Sequence, residues 1–212
     1  MTIRTQPVPA RSAATLPPPP ATGVRAATVR KLGLALTVGT LAWAATIFTV
    51  GTTPEDTFRT SIGDLGGTLF QLGVFALLTI QFKTMATGTS KLARGMLRAE
   101  YVLLALATLW SILHAVPAFQ DAGWLMILDV FWPLSMLGMF VIGIKILFTG
   151  RWTGLARVWP TVAESWAVVT VPAFVIFGPP LSNWIGGGHL LLGYAALGVI
   201  LALRPELTGA QD

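Results

Sequence analysis

The chain has 212 residues, 54% of them hydrophobic and only 11% charged, whereas soluble domains average about 25% charged. A soluble fold of this size cannot hide so much apolar surface, so lipid is the expected solvent. The net charge of +5 does not point to nucleic acid, because the basic residues lie between apolar stretches and not along one soluble face. The absence of cysteine excludes disulfides, thiolate metal sites and Cys nucleophiles.

Residues 1–29 form a tail in which Pro7, Pro9 and Pro17 to Pro20 sit among Ala, Thr and Arg. It has no apolar periodicity and is expected to be disordered, with the proline run locally extended as polyproline II. Residues 30–205 are expected to form one membrane domain, followed by a short tail at 206–212.

A first span is predicted at residues 32–53. Its apolar run exceeds the roughly 7–15 residues of a signal peptide, and more spans follow, so it is a retained anchor. Gly33, Thr37, Thr40, Ala44 and Gly51 share one face, where small residues let helices approach closely. A second span, 62–85, opens on a GxxxG from Gly63 to Gly67. It carries a stripe of Asp64, Thr68, Gln71, Phe75 and Thr79 at helical spacing, which should face protein or water. A third span, 97–116, has Glu100 and Tyr101 at its start. Ser111 and His114, three apart on one face, lie near its end.

The fourth span, 123–149, is long enough to cross a bilayer, which takes about 20 residues, yet it carries Asp129. A carboxylate there costs roughly 2.5–3.5 kcal/mol on insertion scales. Pro133 removes a backbone hydrogen bond and frees the carbonyl of Asp129 itself. A charge and an unpaired carbonyl in one place are tolerated only where protein or water surrounds them. A fifth span, 161–177, has Glu164 near its start and Pro172 inside. A sixth, 188–203, follows Gly186-Gly187-Gly188 and starts beside His189.

With six spans, all but Arg59 of the 14 basic residues fall on one side. The positive-inside rule then puts both termini in the cytoplasm. Trp152, Trp159 and Trp166 would lie near the inner interface, and Trp124 and Trp184 near the outer one. The fold class is therefore an all-α integral membrane protein, a bundle of six transmembrane helices. The Ala, Gly, Leu, Val and Arg bias matches a high-GC bacterium, so the expected location is the bacterial cytoplasmic membrane.

On this topology Asp64, Gln71, Ser111, His114, Asp129 and His189 gather in the outer leaflet, where they would form a polar pocket. Asp129 would pair with His114, or share a proton with Asp64. On the inner side, Arg151, Trp152 and Arg157 would contact anionic lipid headgroups. No catalytic residue, metal or cofactor is assigned. The two His and two Asp lie on four spans without zinc-ligand spacing, and His114 and His189 lie too near the surface for a haem. Ser111 with His114 and Asp129 has hydrolase residue types but no nucleophile elbow.

The function these features favour is small-molecule or ion transport, or ligand sensing, through the outer-leaflet pocket. A non-catalytic accessory or regulatory subunit is the alternative, and a membrane-embedded enzyme a weaker one. Membrane lipids are the expected partners, together with a second copy or another membrane protein, and no nucleic acid.

Overall fold

The structure, a computed structural model, describes residues 19–54 and 56–212. Among these, six helical stretches are long and apolar enough to cross a membrane: Ala26–Val50, Thr57–Lys83, Lys91–His114, Gly123–Thr149, Gly154–Phe177 and Leu181–Leu203. They are called the first to sixth spans below. No strand occurs among the described residues, where Arg25 and Gln211 form only an isolated bridge. The outward face is apolar: Phe148, Val175 and Leu192 are each more than two-thirds exposed, at 77%, 83% and 71%. A water-soluble monomer rarely shows a large continuous apolar surface. Six such helices suggest a membrane location and are compatible with a multi-pass protein.

The spans pack in chain order, each against the next, and the first closes the ring against the sixth. Two sets of glycines set the tightest crossings. A Cβ on Gly33 would stand 2.7 Å from the Gly198 carbonyl oxygen, and one on Gly198 would stand 2.9 Å from the Thr37 nitrogen. Gly39 and Gly73 do the same between the first and second spans, where a Cβ on Gly73 would meet the Leu36 Cα at 3.1 Å. The small face of the first span therefore packs within the chain. The GxxxG of the second span does not act as a unit: Gly63 has nothing close to it, and Gly66, one residue before the motif's end, takes the contact with Thr46.

Five span starts differ from those predicted. The second begins at Thr57, where Asp56 caps it by accepting from the Arg59 amide at 2.8 Å. The first helix begins at Ala26, inside the stretch expected to be disordered; that expectation otherwise falls mainly on residues outside those described. The third span begins at Lys91 because Ser90 caps it, accepting from the Ala93 amide at 3.1 Å. Lys91, Arg94 and Arg98 are exposed first turns of a helix, not a loop. The fifth span begins at Gly154 and runs through Pro160. The sixth begins at Leu181, so Gly186 to Gly188 lie within a helix. There two of them are packing positions: Trp166 donates to the Gly186 carbonyl at 2.9 Å, and Phe48 rests on Gly187, whereas Gly188 has nothing within 4 Å.

Residues 205–212 fold back against the bundle. The Thr22 and Ala26 amides donate to Gly209 and Gln211 at 3.0 and 2.7 Å, and Thr153 donates to Leu207 at 2.9 Å. The segment before the first helix, from residue 19, and the C-terminal segment thus meet at one end of the bundle, beside the Thr84–Ser90 and Gly150–Thr153 loops. That basic end is opposite the acidic end, where Asp56, Asp121 and Asp129 lie.

Candidate functional site: an aromatic-lined pocket at the acidic end

Three side-chain pairs run down the contact between the second and third spans. Asp64 Oδ2 meets His114 Nδ1 at 2.8 Å. Gln71 Nε2 donates to Ser111 Oγ at 3.0 Å, and Thr79 and Tyr101 share a hydrogen bond of 2.8 Å. The polar stripe of the second span therefore faces protein, and its partners all come from one helix. Antiparallel packing explains this: positions ascending in one span meet positions descending in the other.

Above the upper two pairs lies a cavity of about 320 Å³, open at the acidic end. Its lining includes Asp64, Ser111, His114 and Asp129, with Trp43, Trp110, Trp132 and Trp166. Trp43, Trp132 and Trp166, from the first, fourth and fifth spans, pack on one another with ring centroids 4.9 to 6.0 Å apart. Trp110 stacks on His114 at 4.7 Å with ring planes 14° apart. Trp166 is thus an interior group, not part of an interfacial belt, and its indole N–H is satisfied by Gly186.

Asp129 ends a short helix, Met126–Asp129, and the next begins at Phe131. The break at Val130 lies three residues before Pro133, which has no N–H to return to the Asp129 carbonyl. Asp129 is exposed and makes no side-chain hydrogen bond or ion pair among the described residues. The predicted Asp129–His114 pair does not form, because His114 turns its ring nitrogen to Asp64. The pocket therefore holds one compensated carboxylate, Asp64, and one open one, Asp129.

Of the other predicted residues, Gln71 sits below the pocket and reaches it through Ser111. His189 is elsewhere. Because the sixth span starts at Leu181, His189 lies about two turns into that helix, where Nε2 meets Ser165 Oγ at 3.2 Å. It lines a separate groove with Val162, Trp184 and Leu192. Ser111 and His114 do not form a nucleophile–base pair: Ser111 donates to the Ala107 carbonyl at 3.3 Å, and His114 is held by Asp64. At the basic end Trp152 is fully buried, and its indole donates to Thr84 Oγ1 at 2.9 Å. It braces the second span and does not face headgroups. Arg157 is exposed and caps the Leu147 carbonyl through Nε at 2.7 Å, while Arg151 buries its Nε.

A second polar cluster lies deeper, and the sequence misplaced it. Glu100 and Glu164 look like helix-start acids if the spans begin at 97 and 161. With starts at Lys91 and Gly154, both lie well inside their spans, and both are buried. Ser135 Oγ donates to Glu100 Oε1 at 2.5 Å, and Gln81 Nε2 donates to Glu164 Oε1 at 2.8 Å across the ring. The bare backbones of Gly138 and Gly143 in the fourth span make room for the two carboxylates. The signal that would have found Glu100 is the Ser90 cap, which sets it nearly three turns from the cap.

Among the described residues no three His, Cys, Asp or Glu side chains stand close enough to hold a metal ion. No family model, curated protein or solved structure matches this chain.

Proposed function

We propose that the protein binds a small organic cation in the acidic-end pocket and serves its transport or its sensing across a bacterial cytoplasmic membrane, with the acidic end facing outward. The observation that carries this is the open Asp129 carboxylate beside four tryptophans in a cavity of about 320 Å³. Tryptophan faces attract cations by about 0.5–2 kcal/mol each, more when water is excluded, and a carboxylate with no internal partner adds a charge that a cationic ligand neutralises. The Asp64–His114 pair contributes shape and hydrogen bonding. The outward orientation is supported by the basic side chains of the described residues, which all but Arg59 lie toward the opposite end.

The accessory-subunit alternative loses one support, since small residues of the first span are used within the chain. Anionic headgroup contact, part of the same proposal, falls to exposed Arg157.

The test is a titration of the purified protein with benzyltrimethylammonium, read by tryptophan fluorescence, beside an uncharged compound of the same shape. The cation is expected to bind more tightly, and Asp129→Asn to weaken it about tenfold, which is about 1.4 kcal/mol. Equal binding of the charged and uncharged probes, or binding indifferent to Asp129→Asn, overturns the proposal.

A further inference from the structure

Below the pocket, polar groups continue into the bundle. Ser111 lines the pocket and accepts from Gln71, whose Oε1 is buried without a hydrogen-bond partner. Beneath Gln71 is a cavity of about 10 Å³, lined by Gln71, Trp132 and Ser135 among others, close to the room one water needs. Ser135 then donates to Glu100. Glu100 and Glu164 both reach the fourth span, at Gly138 and Gly143, and Gly193, next to Tyr194, packs on Ala163, next to Glu164.

Three polar atoms around this pair have no partner: Glu164 Oε2, Gln81 Oε1 and the Tyr194 hydroxyl. Glu164, Gln81 and Tyr194 are each 0% exposed. Buried polar groups are normally satisfied, so three orphans around two carboxylates mark a place where something is bound or exchanged. Tyr194 is brought there by a π-helical turn at Leu191–Ala195, a distortion frequent at functional sites. The groups facing the pair come from every neighbouring span: Gln81 from the second, Ser135 from the fourth, Tyr194 from the sixth, and the two glutamates from the third and fifth. Neither glutamate has an ion-pair partner among the described residues.

A carboxylate buried without a cation is costly and is made neutral by a proton. A metal ion would need several ligands in fixed geometry, whereas a proton needs one oxygen and a route. We propose that Glu100 and Glu164 form a proton-exchange site in the bundle interior, loaded from the acidic-end pocket through Ser111, Gln71 and Ser135. Hydronium in the pocket gives up its proton and leaves water, a water in the small cavity between Gln71 and Ser135 takes up one proton and gives up another, and the Glu100 carboxylate ends with the O–H. Transfer to Glu164 breaks that O–H bond and forms another, with no other bond changed. Combined with the pocket's cation reading, on which this last step alone rests, the proton is the coupling ion of a transport cycle.

The test is infrared spectroscopy of the full chain in lipid, across pH and in heavy water, with no ligand added. The expected result is a carboxylic-acid carbonyl band that shifts in heavy water and falls reversibly as pH rises. Glu100→Gln and Glu164→Gln should each remove part of it and the double variant all of that part, while Glu206→Gln, at an exposed acid outside the bundle, leaves it in place. Gln71→Leu should slow the deuterium shift of the Glu100 contribution. Should the glutamine variants fail to fold, Ser135→Ala serves instead, since losing its hydrogen bond moves the Glu100 band. A band that neither titrates nor exchanges in folded protein makes the acids permanently neutral structural groups and overturns the proposal. So does a wild-type spectrum without the band, because the carboxylates are then charged and hold a cation. An exchange rate untouched by Gln71→Leu overturns the route. Since no ligand enters, failure of the pocket to bind a cation leaves these outcomes unaffected.

Discussion

At the scale of residues, Asp64 shows how a charge is made tolerable in an apolar helix. Its side chain is only 13% exposed, and His114 meets it at 2.8 Å. Removing one partner strands the other, which costs about 1–3 kcal/mol for a buried polar group. His114→Ala is therefore expected to lower the thermal stability of the purified protein by that order. Replacing both, Asp64→Leu with His114→Leu, should restore most of the loss, and a double-mutant cycle reads the coupling. An additive cycle would mean that the pair is not formed. The kinds of residue in this site were legible in the sequence, because helical spacing alone places Asp64, Gln71 and Thr79 on one stripe. Their partners were not. Whether His114 meets Asp64 or Asp129 depends on the register of two antiparallel helices and on the break at Val130, and neither is a local property.

At the scale of elements, the six apolar spans were legible because the apolar runs are long and separated by turn and charge signals. Their starts were less so. Long basic side chains can lie along a helix with their heads in water, so Lys91 and Arg94, outside the predicted third span, are helix. Pro160 and the triple glycine likewise looked like breaks, although tertiary packing carries the helix past both. These few residues of error had a large consequence: they moved Glu100 and His189 from helix ends to helix interiors, and Glu164 from a span start to the mid-span break at Ser165. The crossing of the first and sixth spans gives a test at this scale. A side chain at Gly198 would collide with the backbone of Gly33 and Thr37, and overpacking of this kind costs about 1–3 kcal/mol. Gly198→Leu should therefore melt well below wild type, while Gly95→Ala, where no atom lies within 4 Å, should not. Equal melting of the two would show that the crossing is looser than described.

At the scale of the whole molecule, a ring of helices in chain order has an inside, and the inside is used. Trp43 reaches across to the fourth and fifth spans, and Gln81 to the fifth. Asp64, Ser111, Gln71, Ser135 and Glu100 descend from the acidic end toward the centre. The account turns on that end facing outward, and the chain lends itself to a direct test because it has no cysteine of its own. A single cysteine at Thr46, in the pocket lining, and one at Thr89, in the basic-end loop, are exposed in intact cells to a small thiol reagent that cannot cross the membrane. The account predicts that Thr46→Cys is labelled from outside, and Thr89→Cys only after the membrane is opened. Labelling of Thr89→Cys in intact cells, with Thr46→Cys protected, would place the pocket on the cytoplasmic side and contradict it.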